Sequence, residues 1–137
     1  MKHSRLLAPI LFLIIYGSLY PFNFSVAKPD SLVRLFFDGK LFTSAGDMLG
    51  NVLLFAPLGL IAMLNWAPAW GLTRAAISAA LIGFSIALGL QILQIFLPAR
   101  DAALADVIWN MAGMLSGAAA GGYITTNKSA VTALPAN

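Results

Sequence analysis

Apolar residues fall in long uninterrupted runs along this chain, and polar residues collect between the runs or at their ends. A bilayer's hydrocarbon is crossed by about 20 apolar helical residues rising about 1.5 Å each. Four windows meet that length: residues 6–22, 48–66, 75–97 and 104–124, free of Asp, Glu, Lys and Arg except for Asp106. They predict an all-α fold, an integral membrane four-helix bundle, as a single transmembrane domain over residues 1–137. Between the first two windows, Leu32, Val33, Leu35, Phe36 and Phe37 follow the start signal Pro29-Asp30-Ser31 and precede a stop at Gly39. A short interfacial helix in this first outer loop is the expectation, against a disordered loop that would leave those side chains in water.

The first window also resembles a secretory signal, with Lys2 and Arg5 ahead of the apolar run and Ser25-Val26-Ala27 as a small-residue cleavage site. The run is long for a signal core, and Tyr20, Phe22 and Phe24 form an aromatic belt at its far end. It is therefore read as a retained first span. An even number of spans puts both termini on one side, and Lys2 with Arg5 assigns that side to the cytoplasm. On that reading Arg74 and Lys128 also lie inside, while Lys28, Arg34, Lys40 and Arg100 lie outside with Asp30, Asp38, Asp47, Asp101 and Asp106.

Two spans carry stripes of small residues. Gly113, Gly117 and Gly121 recur every four residues on the fourth, and Ala75, Ala79, Gly83 and Ala87 repeat with the same period on the third. In lipid, where van der Waals contact drives helix association, the two stripes predict close packing of the third helix on the fourth. Gln91 continues the third-helix stripe by one turn, so its amide should point at the fourth helix.

Composition confirms the solvent and narrows the chemistry. The chain is 60% hydrophobic and only 9% charged, more apolar surface than one water-soluble core of this length can hide. The lipid bilayer is the expected partner, and a homo-oligomer is open. Cysteine is absent, which removes disulfides and thiolate sites. The formal net charge of +3 is spread along the chain, so no nucleic-acid partner is expected. The lone His3 lies near the N-terminus, away from the acidic residues of the outer side, so no His-based triad or zinc site can be assembled.

The polar residues that remain are patterned. Asp47 with Asn51 and Asp106 with Asn110 share the spacing Asp-x-x-x-Asn at the start of inward-running helices, which puts each pair on one helical face. The preceding helices end alike, at Tyr20-Pro21 and Leu97-Pro98, so two helical hairpins of the same sense are expected. Asn51, Gln94 and Asn110 should share a layer about 6 Å inside the helix ends. Such groups cost several kcal/mol in hydrocarbon unless paired or wet. One reading makes the aspartates helix N-caps and the amides interhelical glue. The other gathers Asp47, Asn51, Gln94, Arg100, Asp106 and Asn110 around an outward-facing pocket, with Arg100 as main partner of an anionic ligand. A divalent cation on Asp47, Asn51, Asp106 and Asn110 is chemically feasible but disfavoured by Arg100, so no metal, cofactor or catalytic residue is assigned.

The run Tyr20-Pro21-Phe22-Asn23-Phe24, Asp47 and Asn51 through Phe55-Ala56-Pro57-Leu58-Gly59, Gln94, Pro98 with Arg100, and Asp106, Asn110, Gly113 and Gly117 resembles the VanZ-like family over residues 9–121. The resemblance implies a bacterial cell-envelope setting, with the bundle in the inner membrane, associated with resistance to the glycopeptide teicoplanin, and it implies no settled reaction. In that pattern a Glu stands three residues before the third-helix Gln, where this chain has Gln91. If that Glu carries a proton in relatives, this member lacks the step; if it only bonds across helices, Gln91 can replace it. The expected ligand is a lipid-linked cell-wall intermediate or an amphiphilic antibiotic. A membrane enzyme acting on phospholipid or polyprenyl phosphate, a small oligomeric transporter and a purely structural subunit stay open as alternatives.

Overall fold

The computed structural model describes residues 4–26, 31–37 and 44–132. All regular secondary structure among the described residues is helical, with no strand. A 3-10 turn, Ser4–Leu6, leads into α1 (Leu7–Leu19); α2 (Ser31–Phe37), α3 (Ala45–Trp70), α4 (Leu72–Gln94) and α5 (Leu104–Thr132) follow. The short helix expected in the first connection is therefore present as α2. Its proposed signals Pro29, Asp30 and Gly39, and the charges Lys2, His3, Lys28, Asp38 and Lys40, lie outside the described residues.

The helix limits differ from the apolar windows for local reasons. α1 stops before Tyr20-Pro21, where the Tyr20 N–H makes the last helical bond to Tyr16 O (3.0 Å) and the proline ring bars continuation. α3 begins three residues before its window, because Ser44 caps it and Asp47 sits comfortably in its first turn. It continues past residue 66 through Pro68 to Trp70, and Gly71, at φ +80°, is the single residue between it and α4. α4 consequently starts at Leu72, ahead of Arg74. It gives way after Gln94 to tight turns in which Ile95, Phe96 and Leu97 bond back three residues, before Pro98.

α3 and α4 are each long and apolar enough to cross a membrane; Ser4–Leu19 is a shorter apolar helix. Both kinds turn large hydrophobic side chains outward, among them Phe12 (64% exposed), Leu53 (61%) and Leu81 (63%). Inside, Ile14 of α1, Phe55 and Leu58 of α3, Leu90 of α4 and Val107 and Met114 of α5 share one core.

The glycine stripe of α5 packs against α3, and the expected pairing of that stripe with α4 is corrected. A Cβ on Gly113 would strike the Val52 carbonyl, one on Gly117 the Ala56 carbonyl, and one on Gly121 would lie 2.7 Å from Leu60 O. Gly59 of α3 answers from the other side, its missing Cβ taken up by the Met114 carbonyl and the Ala118 N–H. Because the contacts advance in the same order along both chains, α3 and α5 run parallel, backbone against backbone. The expectation failed because it matched two visible stripes and overlooked that Ala56 and Gly59 make an equally small face. The α4 stripe is buried as expected, with Ala75, Ala79, Gly83 and Ala87 inside. Gly83 receives the side chain of Met114, whose Cγ lies 2.6 Å from where a Cβ would stand. α4 thus meets α5 through a knob in a notch, which is looser than the α3 contact.

Gly117→Val places carbon into main-chain atoms that cannot rotate away. It should cost about 3 kcal/mol or more, read as loss of thermal stability in detergent. Gly89→Ala, where the added Cβ meets nothing within 4 Å, should change stability by no more than about 1 kcal/mol, in the favourable direction.

Candidate functional site

One end of the bundle holds the C-terminal ends of α1 and α4 and the N-terminal ends of α3 and α5, and the polar residues singled out in the sequence gather there. At the start of α3 the Ser44 hydroxyl accepts from the Asp47 N–H (3.1 Å) and donates to Asp47 Oδ2 (2.6 Å). Ser44 is thus the N-cap of α3, and the carboxylate of Asp47, three residues in, holds the capping hydroxyl in place. The Ser44-x-x-Asp47 pattern was legible, although the sequence reading had offered Asp47 itself as the cap.

α5 starts differently. The residue before it, Ala103, has no side chain to cap with, and its N–H donates to Oε1 of Gln91 from α4 (2.9 Å). Gln91 Nε2 reaches Asp106 Oδ2 at 3.4 Å, and Asn51 Nδ2 of α3 donates to Asp106 Oδ1 at 2.9 Å. The two Asp-x-x-x-Asn pairs are thus joined crosswise, the Asn of the first bonding the Asp of the second. Parallel packing of α3 on α5 brings them within reach. Gln91, assigned from sequence to helix packing, does point at α5 and is also part of this polar group.

Arg100 and Gln94 serve α1. Gln94 Nε2 donates to Ser18 O (2.9 Å), Arg100 Nη2 to Gly17 O (2.9 Å) and Arg100 Nε to Tyr20 O (3.3 Å). The last turn of a helix leaves its carbonyls without partners and carries a partial negative charge, which a guanidinium and an amide relieve. The Ser25 N–H to Phe96 O bond (2.8 Å) ties down the chain that follows. Sequence reasoning placed Arg100 at the site but did not foresee that two of its nitrogens meet main-chain oxygen. The signal was a helix end with no cap of its own at Tyr20-Pro21.

These groups surround a cavity of about 600 Å³. Asp47, Asn51, Gln91, Gln94, Arg100 and Asp106 line it, so five of the six proposed site residues are brought together. Asn110 is not among the lining residues: it is 2% exposed, and its Oδ1 has no hydrogen-bond partner. The four residues considered for a divalent cation are therefore not assembled on one cavity. The remaining walls come from residues outside that set of six. Gly17 and Ser18 contribute from α1, Gly46 and Gly50 from α3, and Asp101 from the loop. Leu35 and Phe36 of α2, with Leu54 and Leu104, make an apolar side, and Leu35 is buried to 1% exposure.

Removing the Asn51 amide strands a part-buried carboxylate oxygen, so Asn51→Leu should cost about 1–3 kcal/mol. In a double-mutant cycle with Asp106→Leu the two losses should fall short of additivity by about 1 kcal/mol, measured by thermal unfolding of the purified variants.

The chain matches no curated protein and no solved structure. The model of one protein family, VanZ/LLP1, matches residues 6–124, from the start of the first apolar run to the glycine stripe of α5 and just beyond it. That span holds α1 to α4, the cavity and the parallel contact of α3 with α5, and this protein belongs to the VanZ/LLP1 family.

Proposed function

We propose that this chain spans a bacterial inner membrane with α1, α3, α4 and α5, both termini cytoplasmic, and that its cavity faces outward and binds an amphiphilic ligand of the cell envelope. The ligand is a lipid-linked cell-wall intermediate or a glycopeptide antibiotic: its headgroup enters the cavity and its apolar part lies against α2. The observation that carries this reading is the cavity itself. About 600 Å³ of space at the meeting of the helix ends combines carboxylates and amides with the apolar wall of Leu35, Phe36, Leu54 and Leu104, the mixture that small-ligand sites present. Membrane insertion is supported by the two long apolar helices and the outward-facing Phe12, Leu53 and Leu81, for which lipid is the fitting solvent.

A second reading is favoured by the bonds themselves. Asn51, Gln91, Gln94 and Arg100 each bond a different element from their own, so the polar end also acts as a brace. The brace alone would make the protein a structural membrane subunit.

Gly50 separates the two. It lines the cavity, and a Cβ there meets nothing within 4 Å, so a large side chain at this position starts in open space and is expected to obstruct the cavity. In a null strain, wild type is expected to confer resistance to a glycopeptide panel, and Gly50→Trp should reach wild-type membrane levels by immunoblot and lose that resistance. Retained resistance at normal level would refute ligand binding in the cavity and leave the brace, for which Gln94→Leu should lower the protein level.

A further inference from the structure

The side chains that line the cavity spend only part of their hydrogen-bonding capacity inside the protein. Asn51 and Gln94 each commit one amide N–H, to Asp106 and to Ser18 O, and keep the other N–H together with the amide oxygen. Arg100 commits Nε and Nη2 to main-chain oxygens and keeps Nη1. Asp47 keeps the oxygen that Ser44 does not hold, and the Ser18 hydroxyl and the Asp101 carboxylate bond nothing among the described residues. Donors and acceptors therefore both remain, on α1, α3, α4 and the loop that follows α4. All but the Ser18 hydroxyl belong to planar amide, carboxylate or guanidinium groups.

The headgroups of envelope amphiphiles differ in what they bring to such a wall. A phosphate brings acceptors only and would set its charge beside Asp47 and Asp101; an ammonium brings donors only and would stand against Arg100. A hydroxyl donates and accepts without charge, and a sugar ring presents several on neighbouring carbons, so that one planar side chain can hold two of them. The other wall fits the same head. Leu35, Leu54 and Leu104 with the half-exposed ring of Phe36 make an apolar side, against which the C–H face of a sugar ring sheds water. A space of about 600 Å³ is also more than a single ionic group fills.

We propose that the headgroup taken by this cavity is a neutral sugar carried by an amphiphile. Its hydroxyls bond Ser18, Asp47, Asp101 and the spare amide groups of Asn51 and Gln94, and its C–H face lies toward Phe36. The proposal rests on the ligand-binding reading and narrows it from any envelope amphiphile to one whose head is glycosylated. The glycan of a lipid-linked intermediate and a sugar of an amphiphilic glycopeptide share this chemistry.

The test uses the full chain in a polyoxyethylene detergent, whose head carries no sugar, with binding of chain-matched probes measured by calorimetry. Gly50→Trp, checked for wild-type helicity and a single elution peak, serves as the blank for partition into the micelle. Dodecyl glucoside should bind wild type about tenfold or more tightly than dodecyl phosphate and dodecylammonium do. Asp101→Ala and Ser18→Ala should each weaken it severalfold and leave the melting temperature of the empty protein unchanged, because neither side chain bonds another described residue. In a second arm, displacement of the glucoside by a polyprenyl-linked sugar assigns the head to a lipid-linked intermediate, and displacement by an amphiphilic glycopeptide assigns it to the antibiotic. If a charged probe binds as tightly as the glucoside and Gly50→Trp removes it, the sugar is overturned while the cavity stands. Unchanged glucoside affinity in both Asp101→Ala and Ser18→Ala overturns the sugar whatever Gly50→Trp does. If no probe binds wild type beyond the level of Gly50→Trp, the proposal falls together with the cavity reading.

Discussion

The contact of α3 with α5 governs the architecture. Gly59, Gly113, Gly117 and Gly121 let two backbones meet with no side chain between them, and the replaced Cβ positions are occupied by carbonyls and amides of the partner helix. In hydrocarbon, contact of this kind does work that water exclusion does elsewhere, since lipid tails are as apolar as leucine. The register of the contact also fixes height. Because the helices run parallel, their N-termini stand at the same end, and Asn51 and Asp106 can bond across the seam. A slip of either helix by one turn would separate them, so the close packing and the polar end are parts of one constraint.

Besides the shared apolar core, the remaining elements are joined at the polar end by single hydrogen-bonded links. Gln91 attaches the end of α4 to the start of α5, and Gln94 with Arg100 attaches the end of α4 and the following loop to the end of α1. Each link satisfies a main-chain group at a helix end, where the backbone has no partner of its own. The cavity is left where four helix ends converge but their side chains do not fill the space, and Gly46 and Gly50 help keep it open on the α3 side.

Much of this was legible in the sequence, for identifiable reasons. Helices follow from apolar runs, and Asp-x-x-x-Asn repeated after Tyr20-Pro21 and Leu97-Pro98 marked the polar end; five of the six residues it pointed to line one cavity. Periodicity reports which face of a helix is special and not which neighbour it meets. The α5 glycines were therefore read correctly as a packing face and assigned to the wrong partner, because Ala56 and Gly59 are hidden among larger residues. The destination of Arg100 was illegible for a related reason. Its partners are carbonyls, which every residue carries, so no side-chain pattern announces them. Asn110 shows a further limit: one turn inward of Asp106 on the same face, it was expected beside Asn51 and Gln94, yet it is buried away from the cavity wall.

Gln91 stands where the resemblance to the VanZ-like family implies a Glu, and the geometry gives an amide at this position a physical meaning. The side chain must accept from the Ala103 N–H, which has no capping side chain to serve it, and on its other atom it faces the Asp106 carboxylate. An amide meets both demands at once, with oxygen toward the N–H and nitrogen toward the carboxylate. An ionised glutamate would meet only the first and would set a second negative charge against Asp106, so it would have to hold a proton to make the same pair of bonds. Glutamine makes the bond between α4 and α5 independent of protonation. What Gln91 does here is join helices, through bonds that need no exchangeable proton of its own.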